Sequence, residues 1–464
     1  MEAMQSLFSR MHAASRAEIE PSLAVRRCRL DMLERLLREN ETAFAEAISA
    51  DFGHRSPHET RLLEVFPSLE GLRHARRHLR GWMRPQRRPV SLWFQPGRAQ
   101  VRYQPLGVVG IIVPWNYPLY LAIGPLTAAL AAGNRALVKM SEFTPATAAL
   151  LETLISRHFA GDEVAVVRGD AEVGQAFSRL PFDHLLFTGS TPVGHHVMRA
   201  AADHLTPVTL ELGGKSPVIV APDYPLAKAA ERIMVGKCLN AGQTCIAPDY
   251  VLLPEDREEA FIAAAKAAVA ACYPVLARSA DYSTVINDRH FARLSGYLEE
   301  AREKGASVMP LSDVAADPGT RCFPPVLVRG VRDDMRVMQD EIFGPVLPIV
   351  SYRELGDAIA YVNARPRPLA LYVFDSDPAR VERVLAETVS GGVTVNDTLL
   401  HIAQDELPFG GIGPSGMGHY HGHAGFLTLS KQKAIFRQSR LSGIGLFKAP
   451  YGVRFERLIR LLMR

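Results

Sequence analysis

Cysteine is scarce and unpaired in this chain. Its 464 residues hold five, Cys28, Cys238, Cys245, Cys272 and Cys322, an odd number without the close spacing of a disulfide framework or a zinc site, so reduced thiols and no bound metal are expected. Charge of one sign is lacking as well. Fifty-three basic residues face 49 acidic ones, spread along the chain, which offers nucleic acid no basic stripe to bind. No apolar run approaches the roughly 18 residues of a membrane span, and the opening MEAMQSLFSRMHAASRAEIE lacks the apolar core of a signal peptide. A soluble, cytoplasmic protein with no integral membrane segment is the expectation. Internal repeats and low-complexity linkers are also missing. What remains is an ordinary globular composition, 47% apolar and 22% charged, in a chain too long for one small core.

Taken in order, residues 21–50 place Leu30, Leu33, Leu36 and Leu37 at helical spacing with Arg and Glu opposite, which predicts an amphipathic helix lying on a larger body. A second helical stretch is expected near 59–80. SLWFQPGRAQVRYQP, residues 91–105, predicts a β-hairpin turning at Pro96-Gly97 between two aromatic-rich arms. From Gly107 short apolar runs at 108–113, 135–140, 164–168, 184–188 and 208–212 alternate with helical patterns, and the alternation resumes at 217–221, 249–253, 369–374 and 392–396. Continuous apolar strands separated by helices mean parallel sheets covered on both faces. In such sheets ligands bind beyond the carboxyl ends of the strands, where Asn116, Lys139, Gly169 and Gly189 fall.

Three stretches carry chemistry. LNAGQTCIA, residues 239–247, presents Cys245 behind Gly242-Gln243, a setting in which a thiol can meet a substrate at close range. TLELGGKSP, residues 209–217, ends an apolar strand on Glu211 beside two glycines, where a carboxylate suits a general base. FTGSTPVG, residues 187–194, follows a strand and opens a helix, so Gly189 admits a ligand to the backbone, Ser190 is placed to cap, and the helix N-terminus favours an anion such as a pyrophosphate. Taken singly, each has an unremarkable reading: an inert core thiol, a surface carboxylate, an ordinary strand-to-helix turn. LPFGGIGPSGMGHYHG is so rich in glycine that it must run close to other backbone or to a ligand.

The ordered set VPWNYP (113–118), KMSE (139–142), FTGS (187–190), ELGGKSP (211–217), NAGQTC (240–245), EIFGP (341–345) and PFGGIGPSGMG (408–418) closely resembles the aldehyde dehydrogenase superfamily. The likeness covers nearly the whole chain. VNDTLLHIAQDELPFGG and SGMGHYHG are similar to its class 3 branch, and within that branch to the bacterial coniferyl aldehyde dehydrogenases. The resemblance implies an α/β fold of two doubly wound domains, cofactor and catalytic, plus a β oligomerisation extension. Its expected parts are 1–90 and 106–210 for the NAD-binding domain, 211–395 for the catalytic domain, 91–105 and 419–440 for the oligomerisation segment, 396–418 for the return to the cofactor domain, and 441–464 for a C-terminal tail helix.

The resemblance also implies roles. Cys245 becomes the nucleophile, Glu211 the base, and Asn116 an oxyanion donor together with the Cys245 N–H. The cofactor residues it implies are Trp115, Lys139, Glu142, Gly169, Gly189, Ser190, Gly194, Leu212, Glu341 and Phe343. Met140 departs from the family, which usually has proline there. The implied cofactor is NAD, with NADP open, and the implied partners are a small-molecule aldehyde and a second copy in a homodimer. The implied substrate is an aromatic enal such as coniferyl aldehyde, or alternatively a medium- or long-chain fatty aldehyde. Acyl-phosphate reduction, cofactor-free hydrolysis and a non-catalytic structural or binding role on the same fold are the competing readings. Trp115, Tyr117 and Tyr120 read equally as an aromatic pocket or as core. GVRFERLIRLLMR, residues 452–464, predicts a helix with Phe455, Leu458, Ile459 and Leu462 on one face and Arg454, Arg457, Arg460 and Arg464 on the other, expected to pack on its own or a partner subunit rather than on a membrane.

Overall fold

The computed structural model describes residues 2–463. Three sheets organise the chain. The small one is antiparallel and holds β1 (Gln86–Arg88), β2 (Arg98–Pro105) and β16 (Ser430–Arg437). A six-stranded sheet contains β3 (Val108–Ile112), β4 (Arg135–Lys139), β5 (Val164–Val167), β6 (His184–Thr188), β7 (Val208–Glu211) and β15 (Gly416–Met417) in the order β15-β7-β6-β3-β4-β5. A seven-stranded sheet contains β8 (Pro217–Val220), β9 (Tyr250–Pro254), β10 (Ser307–Pro310), β11 (Val326–Arg329), β12 (Val346–Tyr352), β13 (Ala370–Phe374) and β14 (Gly392–Val395), ordered β10-β11-β12-β9-β8-β13-β14. All pairings in the two large sheets are parallel except those of the edge strands β15 and β10.

Burial explains why these segments are strands. Every residue of β4, β6, β8, β9 and β13 is buried, which only an apolar run flanked by covering helices permits. The helix Leu23–Glu39 starts where Ser22 Oγ accepts the Val25 N–H, and it sinks Leu30, Leu33, Leu36 and Leu37 into the main core. In the six-stranded sheet the chain leaves β3 for β4 and β5 on one side and returns to β6 and β7 on the other. The crevice between β3 and β6 is therefore the switch point, where loops diverge and ligands bind. Trp115 and Asn116 follow β3, and Gly189 and Ser190 follow β6.

The glycine-rich return is pressed against backbone. A Cβ at Gly411 would stand 2.0 Å from the Ser415 carbonyl, and one at Gly416, where φ is 143°, would stand 2.2 Å from the Leu210 carbonyl. Glycine alone fits that path, and it lets Gly416 pair with Glu211 at the sheet edge.

Four details differ from the sequence reading. The hairpin's first arm is Gln86–Arg88, within the span assigned above to the cofactor domain, while Leu92–Phe94 forms a 3-10 turn. Successive bonds from Phe94, Gln95 and Gly97 N–H to the Ser91, Leu92 and Phe94 carbonyls occupy the groups a strand would offer. Residues 426–428, inside the 419–440 segment expected to extend the oligomerisation sheet, are helical because the Gly422–Thr428 turn buries Phe426, and the strand begins only at Ser430. Ser190 takes the N-cap position of the helix Thr191–Ala202, but its hydroxyl makes no capping bond. Strands β10 and β11, four residues each, left no apolar run long enough to read.

The C-terminal helix spans Val453–Leu462 with no residue buried. Phe455, Leu458, Ile459 and Leu462 are half-buried and Arg454, Arg457 and Arg460 exposed, while Arg464 lies outside the described residues. Its apolar face is thus only half covered within one chain. Among the described residues no helix is long and apolar enough to cross a membrane.

Candidate active site

The helix Leu226–Cys238 runs into a left-handed turn, with φ of 52° at Asn240, 50° at Ala241 and 72° at Gly242. Two successive non-glycine residues in that region are strained and persist only where their surroundings fix them. Here the Asn240 N–H donates to both Glu59 carboxylate oxygens at 3.1 and 3.2 Å, and Asn240 Nδ2 donates to the Asn116 and Gln243 carbonyls at 3.1 Å. Gln243 Nε2 donates to the Asn240 and Thr284 carbonyls, and its Oε1 accepts the Ile286 N–H. Gly242 lies against the EIFGP segment, since a Cβ there would stand 2.4 Å from the Gly344 carbonyl. The turn so fixed presents Cys245 half-buried, with its own N–H and that of Ile246 directed at the sulfur.

Asn116 is placed by a buried ion pair. Arg55 Nη1 donates to Glu64 Oε1 at 2.7 Å and to the Asn116 carbonyl at 3.1 Å, and Glu64 Oε2 accepts the Leu119 and Tyr120 N–H groups. Both side chains are fully buried, a state whose net contribution to stability is small and whose effect here is to pin residues 116–120. Asn116 Nδ2 donates one N–H to the Gln243 carbonyl at 3.1 Å, and its amide carries a second.

Two buried carboxyl groups lie close enough for their charges to raise the thiol. Glu211 ends β7 between Thr188 of β6 and Gly416 of β15. Both its oxygens are buried without a hydrogen-bond partner, and burial raises it well above the usual carboxylate range. Glu341 lies across Gly213, where a Cβ would collide with its carboxylate. Its approach is set by Lys215, which pairs with Asp249 at 2.5 Å and donates to the Val337 and Asp340 carbonyls, while Asp249 accepts the Ile342 N–H. Burial, then the Asp249 charge, pushes Glu341 up to about 8 against the Gly214 N–H, Lys215 and Arg293. Burial likewise pushes the Cys245 thiol up to about 12, with Glu341 and Glu211 adding to the shift. Tyr120, Tyr372 and Tyr420 are near enough for the thiolate charge to raise their phenols, after burial.

A cleft of about 1140 Å³ opens at the β3/β6 switch point, lined by Trp115, Lys139, Glu142, Gly189 and Ser190 among others. Lys139 Nζ donates to the Met140 and Gly169 carbonyls at 2.8 Å each. Burial lowers its pKa while Glu142 and Asp170 oppose the shift. Gly169, Gly194 and Leu212 stand one layer behind: Gly194 packs on the Leu212 side chain, and the Leu212 N–H donates to the Ser415 carbonyl. Phe343, at φ 47°, meets the Trp115 ring edge-on at 5.3 Å.

The Aldehyde dehydrogenase family profile matches residues 2–435. The chain belongs to the aldehyde dehydrogenase family. It is 57% identical over 98% of its length, and 95% of the relative's, to a Pseudomonas aeruginosa protein named "Probable coniferyl aldehyde dehydrogenase". A Staphylococcus aureus AldH solved in a substrate-bound state superposes at TM-score 0.94 with 36% identity, covering 99% of both chains. A Mycobacterium tuberculosis aldehyde dehydrogenase solved with NAD+ superposes at 0.82 with 29% identity, covering 95% of this chain and 90% of that one.

Sequence reasoning passed over several residues that build this dehydrogenase's site. Glu59, Glu64 and Arg55 sit in RSPHETRLLEVF, where nothing local distinguishes a buried charge from a solvated one, and Lys215 stands out only as part of a motif. The signal available was the density of charge within an otherwise apolar helix start. The three aromatics also separate. Trp115 faces the cleft, Tyr117 is buried with its hydroxyl 2.6 Å from Thr244 Oγ1 and Arg55 over its ring, and Tyr120 stands toward Cys245 with its hydroxyl 3.2 Å from His421 Nε2.

Proposed function

We propose that the enzyme oxidises an aromatic enal of the coniferyl aldehyde type to its acid, with Cys245 as nucleophile, Glu211 as base and Asn116 as oxyanion donor. The observation that carries the assignment is the convergence of Glu211 and Glu341 on one half-buried sulfur whose own N–H points back at it. Glu211, as carboxylate, takes the thiol proton. The sulfur adds to the aldehyde carbon, the C=O electrons pass to oxygen, and the Asn116 amide with the Cys245 N–H stabilises that oxyanion. When bound, the nicotinamide of NAD(P) supplies the hydride acceptor that no side chain offers. Once Glu211 has passed the thiol proton to bulk water, it removes a proton from the attacking water, whose oxygen adds to the Cys245 thioester, and the C–S bond breaks to release the acid and the thiolate.

The cleft fits such a dinucleotide. Lys139 and Glu142 suit an adenosine ribose, and the N-terminus of the helix Thr191–Ala202 beside Gly189 and Ser190 suits a pyrophosphate. The buried, unpartnered Glu341 Oε1 is an acceptor that a ribose hydroxyl satisfies. Gly169, Gly194 and Leu212 would shape the cleft from behind, and Phe343 with Trp115 would bound the nicotinamide end. Exposed Glu142 disfavours a 2′-phosphate, so NAD is preferred. Glu142→Gln should raise the NADP-to-NAD ratio of kcat/KM, and an unchanged ratio would contradict that placement.

The substrate class rests on the 57% identical relative's name and on Tyr120, Tyr372 and Tyr420 around the thiol. The test is NADH formation by the purified enzyme across benzaldehydes, cinnamaldehydes and short to long alkanals. Preference for cinnamaldehydes supports the reading, preference for long alkanals replaces it, and no NADH with any aldehyde would favour a non-catalytic role. The working unit proposed is a homodimer joined through the small antiparallel sheet and the C-terminal tail.

A further inference from the structure

The helix Phe66–Trp82 carries a side-chain cluster that the reaction does not use. His74 and His78 are four residues apart, so their rings lie on one face, with centroids 4.3 Å apart. Glu406 brings Oε1 to 3.3 Å from His74 Nε2. One ring nitrogen of each histidine and one carboxylate oxygen of Glu406 all lie within 4.8 Å of one another.

The protonation pattern suits a cation. His78 Nδ1 lies 2.9 Å from the His74 main-chain carbonyl; a carbonyl only accepts, so the proton is on Nδ1 and the lone pair on Nε2. A histidine oriented by a backbone carbonyl in this way is the usual form of a metal ligand. His74 Nε2 is buried and makes no hydrogen bond of good geometry, although Glu406 Oε1 stands 3.3 Å away. Glu406 is 71% exposed, free to rotate inward and to leave outer coordination positions to water.

We infer that His74, His78 and Glu406 form a site for a first-row divalent cation of the zinc class. Two imidazoles and one carboxylate suit zinc better than magnesium or calcium, which take oxygen ligands, or copper(I), which takes sulfur. Bonds of roughly 2.0–2.1 Å require the three ligand atoms, all within 4.8 Å of one another, to draw closer by small side-chain rotations. The bound ion clips the segment carrying Asp405 and Glu406 onto the helix. That segment borders a small cavity lined by Gly71, Tyr120, Asp405 and Tyr420, so the clip steadies an outer wall of the cavity that the two tyrosines share with the reaction site.

The experiment uses the full-length protein, stripped with a chelator and dialysed against Zn2+ or Co2+. Parent, Glu406→Gln and His78→Ala are compared by metal content, thermal midpoint and the Co2+ absorption spectrum. The expected result is a single equivalent bound by the parent, affinity weakened about 10-fold or more in each variant, and a Zn2+-dependent rise in Tm that the variants lose. The Co2+ spectrum should show ligand-field bands without sulfur charge transfer. Glu406→Gln alters an exposed side chain, and unchanged turnover in metal-free buffer checks that both variants fold. Equal affinity in all three proteins, no binding by the parent, or a spectrum dominated by sulfur charge transfer would overturn the inference.

Discussion

Cys245 works under an electrostatic handicap. Burial together with the Glu341 and Glu211 charges pushes its thiol up to about 12, and Glu211, raised by burial itself, is the neighbour proposed to accept the proton. Glu211→Gln should therefore slow hydrolysis of the thioester by about 10²- to 10⁴-fold, and mass spectrometry of the variant after aldehyde and NAD+ should find an acyl group on the Cys245 peptide. Parent-like turnover by Glu211→Gln would remove the base assignment. Glu341 gives a pH prediction. Its carboxyl titrates near 8 when folded, against 4.5 ordinarily, so between those values the unfolded chain has released a proton that the folded chain still holds. A raised carboxyl of this kind favours the folded state less and less as pH climbs through that window. Glu341→Gln should then gain stability relative to the parent as pH rises from 5 to 8, on the order of a few kcal/mol at the upper end, read from urea midpoints. A difference that does not change with pH would contradict it.

At the scale of elements, the turn 239–245 is the piece on which the site depends. Gly242→Ala places a Cβ against the Gly344 carbonyl at φ 72° and should cost about 1–3 kcal/mol with a large loss of turnover, because the Gly242–Gly344 contact joins the thiol loop to the Glu341 segment. A variant with parent stability and kcat would show that the contact is not needed. Legibility in the sequence followed burial. The strands of the two large sheets are covered on both faces, so apolar runs such as VVGII and RALVK disclosed them. β1 is the polar QRR, and the aromatic Leu92–Phe94 beside it carried a stronger strand signal while folding as a turn. The proposed catalytic residues Cys245, Glu211 and Asn116 stand out in the sequence because glycines and motif spacing mark them. Arg55, Glu59 and Glu64 do not, since a buried charge and a solvated one look alike until the partner from a distant segment is in place.

The whole molecule leaves apolar surface around the small sheet and along the C-terminal tail. Leu92, Trp93, Phe94 and Phe436 around the small sheet, and Leu441, Ile444, Leu446 and Val453 along the tail, are all about half exposed or more, and β1 and β16 are open edges. Apolar patches beside open strand edges are ordinarily covered by a second copy. Phe426 and Leu429 belong to the core, so a truncation that removes β16 and the tail but spares the core follows Leu429. That truncation, and separately Phe436→Glu, should shift the light-scattering mass to monomer; a soluble, active dimer in both would sink the idea. The proposed chemistry turns on one sulfur. NADH formation from coniferyl aldehyde, followed side by side for the parent and Cys245→Ala, tests it most directly: sustained turnover by the parent with the variant at the buffer baseline is the predicted result, and a variant rate comparable to the parent's would contradict it.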